Sequence, residues 1–76
     1  MKTKVYIAEF LDNAGSSVEL RAESVSELYA ENKSILPAEN DVSVYCYEYL
    51  IVDGRPHLKS KKLAGTVSGM GFFLHA

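Results

Sequence analysis

One cysteine, two histidines and ten carboxylates are the residues with which this 76-residue chain could do covalent, metal or acid–base chemistry. Their placement argues against all three. A nucleophilic thiol needs a base within hydrogen-bond reach. Cys46 sits in a strand-like run where a small thiol serves as packing, His57 falls on the opposite face in the strand register preferred below, and His75 stands near the end of the chain. A zinc site needs several Cys and His ligands at short spacing, and one Cys with two distant His does not supply them. Glu27 and Glu31 are helix-surface neighbours at i, i+4, an exposed pair with no desolvated cleft to shift a pKa. Gly65, Gly69 and Gly71 lack both the Walker ending and a GxGxxG opening a helix. They read as turns, bulges or a close backbone approach rather than a phosphate cradle. The expectation is a non-enzymatic protein with no catalytic residue, no metal site and no cofactor.

Contact chemistry is better represented. Tyr45, Tyr47 and Tyr49 alternate along one segment, and Arg55, His57, Lys59 and Lys61 alternate along the next. Tyrosines on a rigid sheet present large area at small entropic cost, and with cations they suit protein hot spots. The same set could stack bases and neutralise phosphates, as single-strand binders do. A third reading puts the tyrosines in the core and leaves the cations to protect an edge strand from aggregation.

These side chains are positioned by a β-hairpin spanning Asp41–Lys62. Its first arm, DVSVYCYEYLIV, is rich in Val, Tyr and Ile, and Asp53-Gly54 follows as a turn that tolerates left-handed backbone angles. Two registers compete. With a two-residue loop, Val52 pairs with Arg55, and the cations share a face with Val42, Val44, Cys46 and Leu50. With a three-residue loop and a bulge at Gly54, Ile51 pairs with Arg55. Tyr49, Tyr47 and Tyr45 then stand opposite His57, Lys59 and Lys61. A slip of one residue exchanges every side chain between core and solvent. The three-residue loop is preferred, because it gathers Val42, Val44, Cys46, Leu50 and Leu58 on the dry face. It also points Glu48 inward, where a carboxylate needs a partner or the rim of the sheet.

The other elements follow from period and punctuation. Lys4–Leu11 reads as a first strand, Asp12–Ser16 as a hairpin turn, and Ser17–Glu23 as a second strand with Val18, Leu20 and Ala22 on one face. Ser24-Val25-Ser26-Glu27 is a capping box, opening a helix from about Val25 to about Ser34 before Pro37. Val25, Leu28, Tyr29 and Asn32, with Leu36 just beyond, form its inward stripe. Phe72-Phe73-Leu74 forms a last strand beside the first or a middle one, and an unpaired edge there could join two copies into a homodimer. The expected fold is α+β: an antiparallel sheet of four to five strands, in β-β-α-β-β-β order, with one short helix on one face.

Length bounds this to a single domain over residues 1–76. A lone cysteine excludes a disulfide framework, and no apolar run or leader points to a membrane. A cytoplasmic location is expected. Up to Asp53 there are ten acidic against four basic residues, a balance of −6; from Gly54 onward four basic residues meet no acid, a balance of +4. That polarity predicts two differently charged surfaces.

The junction Val18-Glu19-Leu20-Arg21-Ala22-Glu23-Ser24-Val25-Ser26-Glu27 resembles a known family. It is similar to the strand-into-helix junction of a type I-F member of the small anti-CRISPR inhibitors encoded by phages and mobile elements. That junction also has the Ala-Glu-Ser run, an apolar residue and a further Ser. The resemblance covers about ten residues and carries over no functional residue. It implies a stoichiometric blocker of an RNA-guided effector complex. The acidic part of the chain would meet basic effector protein, and the cationic strand would meet the guide RNA or DNA backbone.

Overall fold

Alternation and turn chemistry become five strands and one helix in a computed structural model of the protein, which describes residues 2–75. The elements are β1 (Lys2–Leu11), β2 (Ser17–Ala22), α1 (Val25–Asn32), β3 (Val42–Val52), β4 (Arg55–Ser68) and β5 (Gly71–Leu74). They form one antiparallel sheet in the order β2-β1-β3-β4-β5. Because β2 and β3 both run antiparallel to β1, they are parallel to each other. The chain must therefore cross β1 on one face of the sheet, and α1 makes that crossing.

The turn between β1 and β2 is held by Asp12, whose Oδ1 accepts from the amides of Ala14 (2.9 Å) and Ser16 (2.8 Å). At the helix entry, Ser24 Oγ accepts from the Glu27 amide at 3.1 Å, the half of the capping box that satisfies a free helix donor. The helix stops at Asn32, two residues short of the expected end. There Asn32 Nδ2 donates to the Leu28 carbonyl, and the Ile35 and Leu36 amides both turn back onto the Asn32 carbonyl. A side chain that bonds its own backbone in this way competes with further helix.

Leu28 and Val25 of the helix pack on Ala8, Leu20, Val42, Val44 and Val67 of the sheet, with Leu36 closing one side. Size limits this cover. Eight helical residues measure about 12 Å, whereas the eleven of β3 run to about 36 Å. The helix therefore shields one end of one face. The far half of the β3–β4 hairpin and the whole opposite face have no second layer among the described residues.

The hairpin turn corrects the register expected from sequence. Asp53 (φ 52°) and Gly54 (φ 76°) form a two-residue loop, and Val52 pairs with Arg55. Pro56 and Leu58 then pair with Ile51 and Tyr49, so Leu58 lies on the tyrosine face and not in the core. A bulge follows: Glu48 pairs with Ser60, Lys59 is left as the extra residue, and Tyr47 pairs with Lys61. A second irregularity separates Tyr45, opposite Leu63, from Val44, opposite Gly65. Glu48 does point to the helix side, but beyond the end of the helix. It stands half-buried between Lys4 and Ser60 in the sheet, where solvent relieves the carboxylate.

The last strand pairs with β4 as the outer strand of the sheet. Gly65 is the reason it can. A Cβ at Gly65 would collide with the carbonyl oxygen of Phe73 on β5, so only glycine lets the two backbones approach. Gly65→Ala is expected to lower stability by about 1–3 kcal/mol, as overpacking does. Urea denaturation should show this, with amide exchange quickening first along β5. An unchanged midpoint would mean that β5 does not lie this close. The turn itself is anchored by the Gly69 amide, which donates to the Pro37 carbonyl at 2.8 Å.

Candidate binding face

Alternation along β3 decides where the tyrosines go. Val42 and Val44 are buried beneath the helix, so Ser43, Tyr45, Tyr47 and Tyr49 project from the other face. On β1 they are flanked by Ile7, Val5 and Thr3, and on β4 by Leu63, Lys61 and Leu58. The three rings are partly open to solvent; Tyr45 is 36% exposed.

The rings are ordered by one another and by one cation. Tyr47 and Tyr49 stack with centroids 6.5 Å apart and planes inclined by 14°. Lys61 Nζ lies 4.7 Å from the centroid of Tyr45 and 5.3 Å from that of Tyr47, within the range where a ring quadrupole attracts an ammonium. Tyr47 raises the pKa of Lys61, through hydrogen bonding first and charge second, with smaller contributions from Tyr45 and Glu9. The amine therefore stays charged throughout the physiological range.

Tyr45, Tyr47 and Lys61 line a shallow open depression of about 520 Å³ together with Ile7, Glu9, Asn40 and Asp41. A cation over aromatic faces and two carboxylates therefore line the same depression. Such a surface can receive a carboxylate at Lys61 and a cationic side chain at Glu9 and Asp41, with apolar contact against the rings between them.

Of the four basic positions in the expected row, the structure brings only Lys61 to the tyrosines. Arg55 pairs with Val52 and His57 with Leu50, which places both on the helix side near the hairpin tip. Lys59 is the exposed bulge residue, and Lys62 pairs with Cys46, also on the helix side. The positive charge of the second half is thus divided between the faces instead of forming one basic surface. Glu9, Ile7 and Asp41 were absent from the expected set. The only sequence signal for the first two is the odd-numbered alternation of Val5, Ile7 and Glu9, which says nothing about which strand lies beside β1.

Cys46 sits half-buried on the helix side opposite Tyr6, and it raises the pKa of that phenol, chiefly by hydrogen bonding. His57 shares this face with Cys46, contrary to the expected register. The partner of His57, Leu50, is four residues along β3 from Cys46, about 13 Å away. That separation is too great for a thiol–imidazole pair. Among the described residues no group of three or more His, Cys, Asp and Glu is arranged to hold a metal ion, and no helix is long and apolar enough to cross a membrane. In comparisons with known proteins, no family model, curated protein or solved structure matches the chain.

Proposed function

We propose that the chain is a non-catalytic protein-binding module that docks its partner on the Tyr45, Tyr47 and Tyr49 face, with Lys61 as the cation of the site. The observation that carries this reading is the stacked, partly exposed tyrosine row on the sheet face without a helix. Rings held by neighbours lose little freedom on binding, so their contact area converts efficiently into affinity. In its narrower form the module is an inhibitor of the phage type that blocks a surface of a host nucleoprotein complex. That form rests on the strand-into-helix resemblance at Val18–Glu27.

Charge favours a protein partner over nucleic acid. Phosphate-backbone binding grows with the number of cations that release counterions. Here one lysine stands with the rings while Glu9 and Asp41 border the same depression. Titration with labelled single- and double-stranded oligonucleotides across a salt series tests the point. No salt-sensitive binding is expected at low ionic strength. A steep fall of affinity with salt, abolished by changing Lys59 and Lys61 to Glu, would replace this reading with a nucleic-acid-binding one.

A further inference from the structure

The two edges of the sheet are built differently. At one edge β2 carries Glu19 and Arg21, paired at 3.0 Å, charges that discourage another strand from adding. At the other, β5 reads Gly-Phe-Phe-Leu, with no charge and no proline. Phe73 is 72% exposed and Leu74 70%, an unusual state for the outer strand of a sheet.

Backbone geometry says how that edge is poised. The Gly69-Met70 turn closes on Ser68 and Gly71, and the His75 amide donates to the Ala64 carbonyl at 2.9 Å. Antiparallel ladders alternate. Residues 71, 73 and 75 therefore turn their backbone groups toward β4, and Phe72 and Leu74 turn theirs outward. Two copies joined edge to edge are related by a two-fold axis normal to the sheet, which opposes residues of like facing. One register centred on Phe73 then meets every requirement. Phe72 exchanges both backbone hydrogen bonds with Leu74 of the second copy, and Leu74 does the same with its Phe72. Phe73 meets Phe73 across the axis at the closer, non-bonded spacing. On the helix side each Leu74 covers the other copy's Phe72, which already leans on Tyr29 with centroids 5.6 Å apart.

We infer that β5 is a self-association edge, and that a second copy of this chain pairs with it antiparallel about Phe73 to make a continuous ten-stranded sheet. A charge-free strand is free to pair with its own copy, because no like charges meet across the axis. The strand is short, and its contact falls below the roughly 1,200 Å² of stable interfaces. The equilibrium belongs to the micromolar-to-millimolar range. This inference stands apart from the tyrosine face, which the pairing leaves open.

Sedimentation equilibrium of the full chain across that range tests it, with Phe73→Glu and Phe73→Lys as variants. The wild type should dimerise. Each variant alone should lose at least about tenfold in affinity by placing like charges opposite each other on the axis, and an equimolar mixture of the two should recover a heterodimer. Circular dichroism checks that both variants keep the fold, as a residue this exposed permits. A wild type that stays monomeric to millimolar concentration, variants that dimerise as well as wild type, or a mixture that fails to recover would each overturn the proposal.

Discussion

Leu28→Ala should lower the free energy of unfolding by about 3 kcal/mol, within the 2–5 kcal/mol of such truncations in packed cores. Leu28 has no exposed surface and sits among Ala8, Leu20, Val44 and Val67. No other fully buried side chain comes from the helix. A helix of eight residues has no independent stability in water, so α1 stays helical because this side chain is docked. A domain of this length has little reserve, and the same loss shifts the thermal midpoint down by about 12–24 °C. Urea denaturation should show a lower midpoint at an unchanged slope. Glu31→Ala on the exposed helix face should move stability by no more than about 0.5 kcal/mol. A loss for Leu28→Ala below about 1 kcal/mol would mean that the helix is not seated on the sheet as described.

The buried core and the tyrosine row therefore occupy opposite faces of the sheet, and this division explains what the sequence disclosed. Strand order along the chain, the helix start at Ser24 and the turn at Asp53-Gly54 were legible because each depends on local chemistry: alternation, a hydroxyl cap, left-handed backbone angles. The inward stripe of Val18, Leu20 and Ala22 was legible for the same reason. The hairpin register was not. A two-residue loop looked wrong because it placed cations on the valine face, a sound objection only if that face were covered along its whole length. The helix covers one end, so Arg55 and His57 stand beside Leu50 and Val52 in a region open to water. The bulge at Lys59 then shifts the pairing by one residue and returns Lys61 to the tyrosine side. No residue type announces that bulge. The partnership of β1 with β3, which brings Glu9 and Ile7 to the site, is likewise a long-range pairing without a local signature.

Replacing Tyr47 and Tyr49 together by alanine should weaken partner binding at least about 30-fold while the chain remains folded. Aromatic hot spots contribute 2 kcal/mol or more when truncated, and that alone is a factor of about 30. The folded state loses less. Both rings are half-buried and lie on the face opposite the core, so the change forfeits mainly their mutual stacking, about 0.5–1.5 kcal/mol. Tyr47→Phe keeps the ring beneath Lys61 and should retain affinity within a few-fold. Arg55→Ala and His57→Ala, on the other face, should change nothing at the site. The contrast matters more than any single value. If the double variant unfolds, the tyrosines hold the sheet together and present no docking surface. If it folds and binds at full strength while Arg55→Ala does not, the partner sits on the helix side of the hairpin, and the tyrosine row is only the back of the sheet.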